Sequence, residues 1–225
     1  MPDAKPTQIV FLLFPGITQL DFTAPAQALS RMPGATLAAA AARVEPITTD
    51  SGFEILPTHD FASCPKADIL CVPGGHGVAE ALGDAATIDF IVAQAAGAKW
   101  VTSVCTGAFL LGRAGLLKGK RATTHWAYTH LLPLVGAHPA SGRVVEDGHL
   151  VTSGGVTSGL DFALTLIARL KGDAVAQAIQ LAIEYDPAPP FPGGHPDRSP
   201  AEVTEGLKSR VYDAAAARMS DALRR

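Results

Sequence analysis

Lys99-Trp100-Val101-Thr102-Ser103-Val104-Cys105-Thr106-Gly107-Ala108-Phe109-Leu110-Leu111-Gly112-Arg113-Ala114-Gly115 is the stretch whose reading decides the fold. Its first half is apolar and β-branched, its second half has helical spacing, and the change falls at Cys105. That is the layout of a buried strand, a sharp elbow bearing a nucleophile, and a helix. A thiol in that place sits at the positive end of the helix, where free N–H groups and the macrodipole favour an anion. The expectation is therefore a depressed thiol pKa and a thiolate near neutral pH.

Outward from this elbow the same alternation repeats. Residues 8–14 read as a buried strand closed by Pro15-Gly16, and a helix starting at Asp21 runs to about Met32. Residues 35–44 and 45–49 read as strands, although the alanines at 38–42 also suit a helix on propensity alone. Residues 67–72 form a short buried strand ended by Pro73-Gly74-Gly75-His76-Gly77, with a helix to about Gly97. A strand at 121–124 and a helix at about 126–135 follow the elbow. Residues 143–145 and 149–152 read as a hairpin, because Asp147-Gly148 suits a tight turn. Gly154-Gly155 leads into a helix at 160–170, and another covers about 173–185. Strands alternating with helices of this length imply βαβ units, a parallel sheet and right-handed crossovers.

The chain of 225 residues is expected to form a single domain over 1–225. Residues 186–200 hold six prolines and two glycines and read as an irregular arm, and 201–223 as an amphipathic C-terminal helix. About 25 residues cannot build a core of their own, so no second domain is split off there. Hydrophobic residues make up 48% and charged residues 17%, and a mean hydropathy of +0.22 suits parallel strands buried on both faces. A net charge of −3 gives no electrostatic reason to expect nucleic acid or an anionic membrane as partner. Without a membrane-length apolar run or a basic-then-apolar leader, the expectation is a soluble cytoplasmic protein. The three cysteines lack disulfide or zinc-ligand spacing, so neither a metal nor another cofactor is expected.

In an open α/β sheet ligands bind beyond the carboxyl ends of the strands. Three strand ends lead to residues with chemistry: Phe14 to Asp21, Val72 to Gly74-Gly75, and Val104 to Cys105. If these strands are neighbours, a carboxylate, a glycine-rich backbone and a thiol meet in one crevice. Cys64 and Cys71 read as small hydrophobes. Asp21 suits an N-cap as well as an acid, and His125 suits a structural hydrogen bond better than a base for Cys105.

Taken together these residues resemble the ThiJ/PfpI superfamily. The matching segments recur in order: Phe11-Leu12-Leu13-Phe14-Pro15-Gly16 with Leu20-Asp21, Val72-Pro73-Gly74-Gly75, Thr102-Ser103-Val104-Cys105-Thr106-Gly107, Ala114-Gly115-Leu116-Leu117 and Ala122-Thr123-Thr124-His125-Trp126. Within it the chain resembles the bacterial isocyanide hydratases, most of all at Glu184-Tyr185-Asp186-Pro187-Ala188-Pro189-Pro190-Phe191. Peptidase-like relatives place a histidine after the nucleophile, where this chain has Thr106. Relatives that act on dicarbonyls or sense oxidants carry Glu where this chain has Asp21. Regulators sharing these motifs add a DNA-binding region for which a chain ending at Arg225 has no room.

The resemblance implies an α/β flavodoxin-like sandwich with a mostly parallel central sheet, helices on both faces, and a cysteine at the nucleophile elbow. It implies a homodimer and a hydro-lyase of the cyclohexyl-isocyanide hydratase type, acting on a small-molecule isocyanide. Cys105 would be the nucleophile, forming a covalent thioimidate, with Asp21 as acid and then base. Thr106 would bond the carboxyl or a water, and substrate or intermediate contacts would lie at Gly74, Gly75, Gly155 and Val156. Backbone N–H groups at Gly75 and Thr106 would stabilise charge. The rival activities are an α-oxoaldehyde hydratase or deglycase, and a non-enzymatic cysteine redox sensor.

Overall fold

The computed structural model describes residues 6–225. The strands are β1 (Thr7–Leu12), β2 (Ala35–Ala41), β3 (Ile47–Thr48), β4 (Glu54–Ile55), β5 (His59–Asp60), β6 (Ile69–Val72), β7 (Trp100–Val104), β8 (Arg121–Ala122), β9 (His138–Pro139), β10 (Val144–Asp147) and β11 (Leu150–Ser153). The helices are α1 (Gln19–Leu29), α2 (Val78–Ala81), α3 (Ala85–Ala95), α4 (Gly107–Arg113), α5 (Ser158–Lys171), α6 (Asp173–Ala182), α7 (Ala201–Leu207) and α8 (Asp213–Arg224).

Seven strands form one sheet in the order β10-β11-β7-β6-β1-β2-β5. Every neighbouring pair is parallel except β10 with β11, which is antiparallel. The parallel strands read as unbroken apolar runs because both faces are covered. Val10, Leu12, Leu70 and Val72 point into one cluster with Phe109, Leu132 and Met219. The alternate residues Ile9, Phe11, Ile69 and Cys71 point into the other with Phe162, Leu166 and Ile167. This two-sided sandwich is the architecture expected from the sequence. Among the described residues no helix is long and apolar enough to cross a membrane.

Several boundaries differ from the sequence reading. The expected strand at 45–49 shrinks to Ile47–Thr48 and pairs with β4 in a separate ribbon; Pro46 before it has no N–H to offer a ladder. The alanines at 38–41 are strand rather than helix: residues 38–40 pair with β1 and all four are buried, so sheet pairing overrides their helical propensity. The expected helix after Gly77 is broken at Gly83 into α2 and α3, where Asp84 caps α3 by accepting the Ala86 N–H. Residues Trp126–Val135 wind as a 3₁₀ helix, which Pro133 and the left-handed Gly136 terminate. The expected C-terminal helix is divided by a π-helical segment, Lys208–Tyr212. The strand expected at 121–124 shortens to β8, Arg121–Ala122, paired with β9. β5 and β9 have no counterpart in the sequence reading, since two-residue strands leave no periodicity to read.

Candidate active site

The three strand ends singled out in the sequence belong to β1, β6 and β7, which lie side by side in the sheet. Asp21, Gly74 and Cys105 therefore emerge at one edge. Cys105 has φ +56, one of two non-glycine residues with positive φ among those described. Such a conformation costs an L-residue about 1–2 kcal/mol, and here it turns the chain sharply from β7 into α4. The surroundings hold it there. The Cys105 N–H points at the carbonyls of Ser153 (3.1 Å) and Gly154 (2.9 Å), and its own carbonyl accepts the Thr124 hydroxyl at 2.7 Å. Gly107 lets the new helix press on β6, because a Cβ there would lie 2.1 Å from the Val72 carbonyl oxygen.

Asp21 lies in the first turn of α1 and is fully buried. It does not cap its own helix. Its Oδ2 instead accepts the Gly74 N–H at 3.0 Å, across to the β6 loop. Oδ1 is buried without a hydrogen-bond partner among the described residues, while the Cys105 thiol is close enough to interact with the carboxyl. Burial pushes the Asp21 pKa up to about 7, against the pull of the Gly74 N–H and the thiol.

The thiol departs from the expected depression. Burial raises the Cys105 pKa well above its ordinary value, and the Asp21 charge raises it further. Opposing this are the Thr106 and Val156 backbone N–H groups and the Thr106 hydroxyl, which all favour the thiolate. The short helix after Cys105 contributes its N–H groups, but 6% exposure of the residue removes the water that a thiolate needs. The consequence is a coupled pair. Above about pH 7 the pair has given up one proton, and burial together with the Asp21 charge keeps the other on the thiol.

Thr106, Gly74, Gly75, Gly155 and Val156 all fall around this pair. Thr106 Oγ1 accepts the Gly75 N–H at 3.0 Å, so that N–H is already engaged, and the N–H groups favouring the thiolate are those of Thr106 and Val156. Gly75 has φ +141, and a Cβ there would lie 2.4 Å from the Thr18 nitrogen. Gly155 lies flat beneath the His125 ring: a Cβ would meet His125 Cδ2 at 2.4 Å.

His125 is held in a stack of rings, not presented as a base. Burial lowers its pKa to about 4, so the ring is neutral. Its Nδ1 faces the Ala127 N–H at 3.3 Å, and its ring centroid lies 5.5 Å from Trp126, 5.8 Å from Tyr128 and 5.1 Å from Tyr212. Neither tyrosine stood out in the sequence, because isolated aromatic residues in helical stretches read as core. Cys64 lies half-buried in a loop, and Cys71 is core in mid-strand, as expected.

Residues 7–169 match the family model described as the DJ-1/PfpI family. The isonitrile hydratase of Pseudomonas putida is 51% identical over 204 residues, 91% of this chain and 90% of that protein. A ThiJ/PfpI family protein from Pseudomonas syringae superposes with a TM-score of 0.94 at 39% identity, covering 97% of this chain and 90% of the other. Drosophila melanogaster DJ-1beta shares the fold, with a TM-score of 0.72 at 24% identity over 80% of this chain and 98% of its own.

Proposed function

The chain belongs to the DJ-1/PfpI family, and from that footing we propose that it is an isonitrile hydratase, a hydro-lyase converting R–N≡C and water to the N-substituted formamide. The observation that carries the reading is the buried Asp21 carboxyl, one oxygen unpartnered, beside the Cys105 sulfur at the elbow. The 51% identity to a hydratase over nine-tenths of both chains supports the substrate class.

The chemistry requires a nucleophile and a proton that is given and taken back. Sulfur attacks the terminal carbon of the isocyanide as its proton passes to Asp21. The new lone pair on that carbon takes the Asp21 proton, leaving a thioimidate, Cys–S–CH=N–R, and an ionised Asp21. Asp21 then removes a proton from water as its oxygen bonds to the same carbon, and passes that proton to nitrogen. The adduct collapses as the hydroxyl proton moves to Asp21, the carbonyl forms, and the carbon–sulfur bond breaks. Formamide leaves, and the pair again holds one proton. The Thr106 and Val156 N–H groups stabilise the sulfur whenever it carries charge. Thr106 Oγ1, shared between sulfur and Gly75, holds the two loops in register.

We read the protein as a soluble cytoplasmic homodimer formed from one domain. Leu181 at 81% and Phe191 at 78% exposure, near the Pro-rich arm, support a subunit contact there, and size-exclusion chromatography with light scattering tests it.

The deciding experiment incubates purified protein with p-nitrophenyl isocyanide and follows the formamide. Turnover that Cys105→Ala abolishes supports the reading; turnover unchanged in Cys105→Ala eliminates the mechanism. Lactate from methylglyoxal with no formamide would assign the α-oxoaldehyde activity instead. A stable Cys105 sulfinate under mild peroxide with neither turnover would assign a redox sensor.

A further inference from the structure

We infer that Tyr212, carried by the C-terminal helical segment, is the specificity-determining wall of this site, closing it toward a neighbouring groove so that compact cyclic or aryl isocyanides are favoured over long-chain ones. The inference rests on the hydratase reading for the substrate class and on independent geometry for the wall.

Tyr212 comes from a part of the chain remote from the sheet, beyond residues 7–169 that match the family model. Its ring nevertheless packs among three from the segment that anchors the nucleophile. Ring centroids lie 5.1 Å apart for His125 and Tyr212, 5.1 Å for Trp126 and Tyr212, and 6.0 Å for Tyr128 and Tyr212. The cluster is tied to the elbow on two sides: Thr124, next to His125, bonds the Cys105 carbonyl, and the His125 ring rests on Gly155, next to Val156. Tyr128 and Tyr212 both lie close enough to feel the charge of Cys105.

On its other side the cluster borders open space. A groove of about 770 Å³ runs between the 3₁₀ segment and α8, lined by Trp126, Leu131, Leu134, Tyr212, Ala216 and Ser220 among others. Trp126 and Tyr212 thus belong both to the ring cluster and to the groove. They form the partition between that space and the nucleophile.

The backbone shows how the tyrosine is aimed. Thr204, Ala216 and Met219 are the buried residues of this helical segment. Tyr212 lies eight residues after Thr204 and four before Ala216. In an ordinary α-helix eight residues overshoot two turns by about 80°, which would swing the ring aside. The π-helical turn at Lys208–Tyr212 absorbs most of that rotation and returns the ring to the buried stripe.

The test compares the wild type with Tyr212→Phe, Tyr212→Leu and Tyr212→Ala in two assays. In the first, kcat/KM is measured for p-nitrophenyl and n-octyl isocyanide. Tyr212→Ala and Tyr212→Leu should raise KM for the aryl substrate with little change in kcat, and shift the octyl-to-aryl preference upward by about tenfold or more. Tyr212→Phe should keep the wild-type octyl-to-aryl preference, because the ring, not the hydroxyl, forms the wall. The second assay needs no turnover: Cys105 alkylation by iodoacetamide and by its N-octyl derivative is followed by intact mass. The octyl-to-parent rate ratio should rise in the two ring-removing variants and stay fixed in Tyr212→Phe. Tyr212→Leu carries the same expectation should Tyr212→Ala not fold. Unchanged preference and unchanged alkylation ratio in the folded ring-removing variants overturn the inference. A shifted alkylation ratio in a protein that hydrates no isocyanide sustains the wall and refutes the hydratase reading.

Discussion

The Gly74 N–H donates to Asp21 Oδ2 at 3.0 Å, and a methyl group at position 74 would lie 3.0 Å from that same oxygen and 2.6 Å from both Thr106 N and Oγ1. The residue that steadies the carboxyl is therefore also the residue with no room to grow. Gly74→Ala should displace Asp21 and Thr106 together. It should cost about 1–3 kcal/mol of stability through overpacking and reduce kcat by more than any stability loss accounts for. Chemical denaturation and steady-state kinetics on the same preparation check both parts.

Asp21 ties activity to pH. Its pKa is pushed up to about 7 by burial, and the proposed reaction uses the pair after one proton has left. kcat/KM should rise through about pH 7 and remain level through pH 8–9, because the second proton is held well above the ordinary thiol range. A rate that falls across pH 6–8 would contradict this.

The same group acts on stability with a definite sign. A carboxyl whose folded pKa is raised binds its proton more tightly when folded, so stability declines as pH rises from about 4 to about 7. Asp21→Asn should abolish hydration yet leave the protein more stable than wild type at pH 8, by up to a few kcal/mol, with little difference at pH 4. Thermal unfolding of both proteins at the two pH values measures it.

His125 opposes that trend in an overlapping window. Its pKa is lowered to about 4 by burial, so unfolded chains bind the proton first and stability is lost as pH falls from about 6.5 to 4. The full effect is roughly 3 kcal/mol at 1.36 kcal/mol per unit. His125→Gln should flatten the acid limb of the stability curve, read from Tm between pH 4 and 7.

Thr106 serves two partners at once, the Gly75 N–H and the Cys105 sulfur. Thr106→Val keeps the shape and leaves the Gly75 N–H buried and unpaired, a loss of about 1–3 kcal/mol. Turnover should fall while Thr106→Ser restores most of it, which kinetics on the two variants distinguishes from a general packing defect.

The parts of this molecule that follow from local chemistry were legible in the chain itself. The change from a β-branched run to helical spacing at Cys105 marks the elbow, and the apolar runs before Pro15, Pro73 and Cys105 mark three strand ends, whose adjacency only the sheet order supplies. What escaped depends on tertiary surroundings. The raised pKa of the thiol is not legible in the chain, because the helix end is visible in sequence and the burial that outweighs it is not. The structural role expected of His125 holds, but its place over Gly155 and among the aromatic rings is visible only in the fold. Tyr212 carried no signal because its relation to Cys105 spans 107 residues and depends on one widened helical turn.

The carbonyls of Ser153 and Gly154 both face the Cys105 N–H, so the peptide group that carries the sulfur is anchored by the main chain of the neighbouring strand and the turn after it. On the proposed reading, reactivity rests on this anchored peptide and selectivity on a single ring brought from the far end of the chain. Substrate range would then be open to change through the C-terminal segment with the elbow backbone left in place, a division of labour that would make this scaffold adaptable by design or by drift.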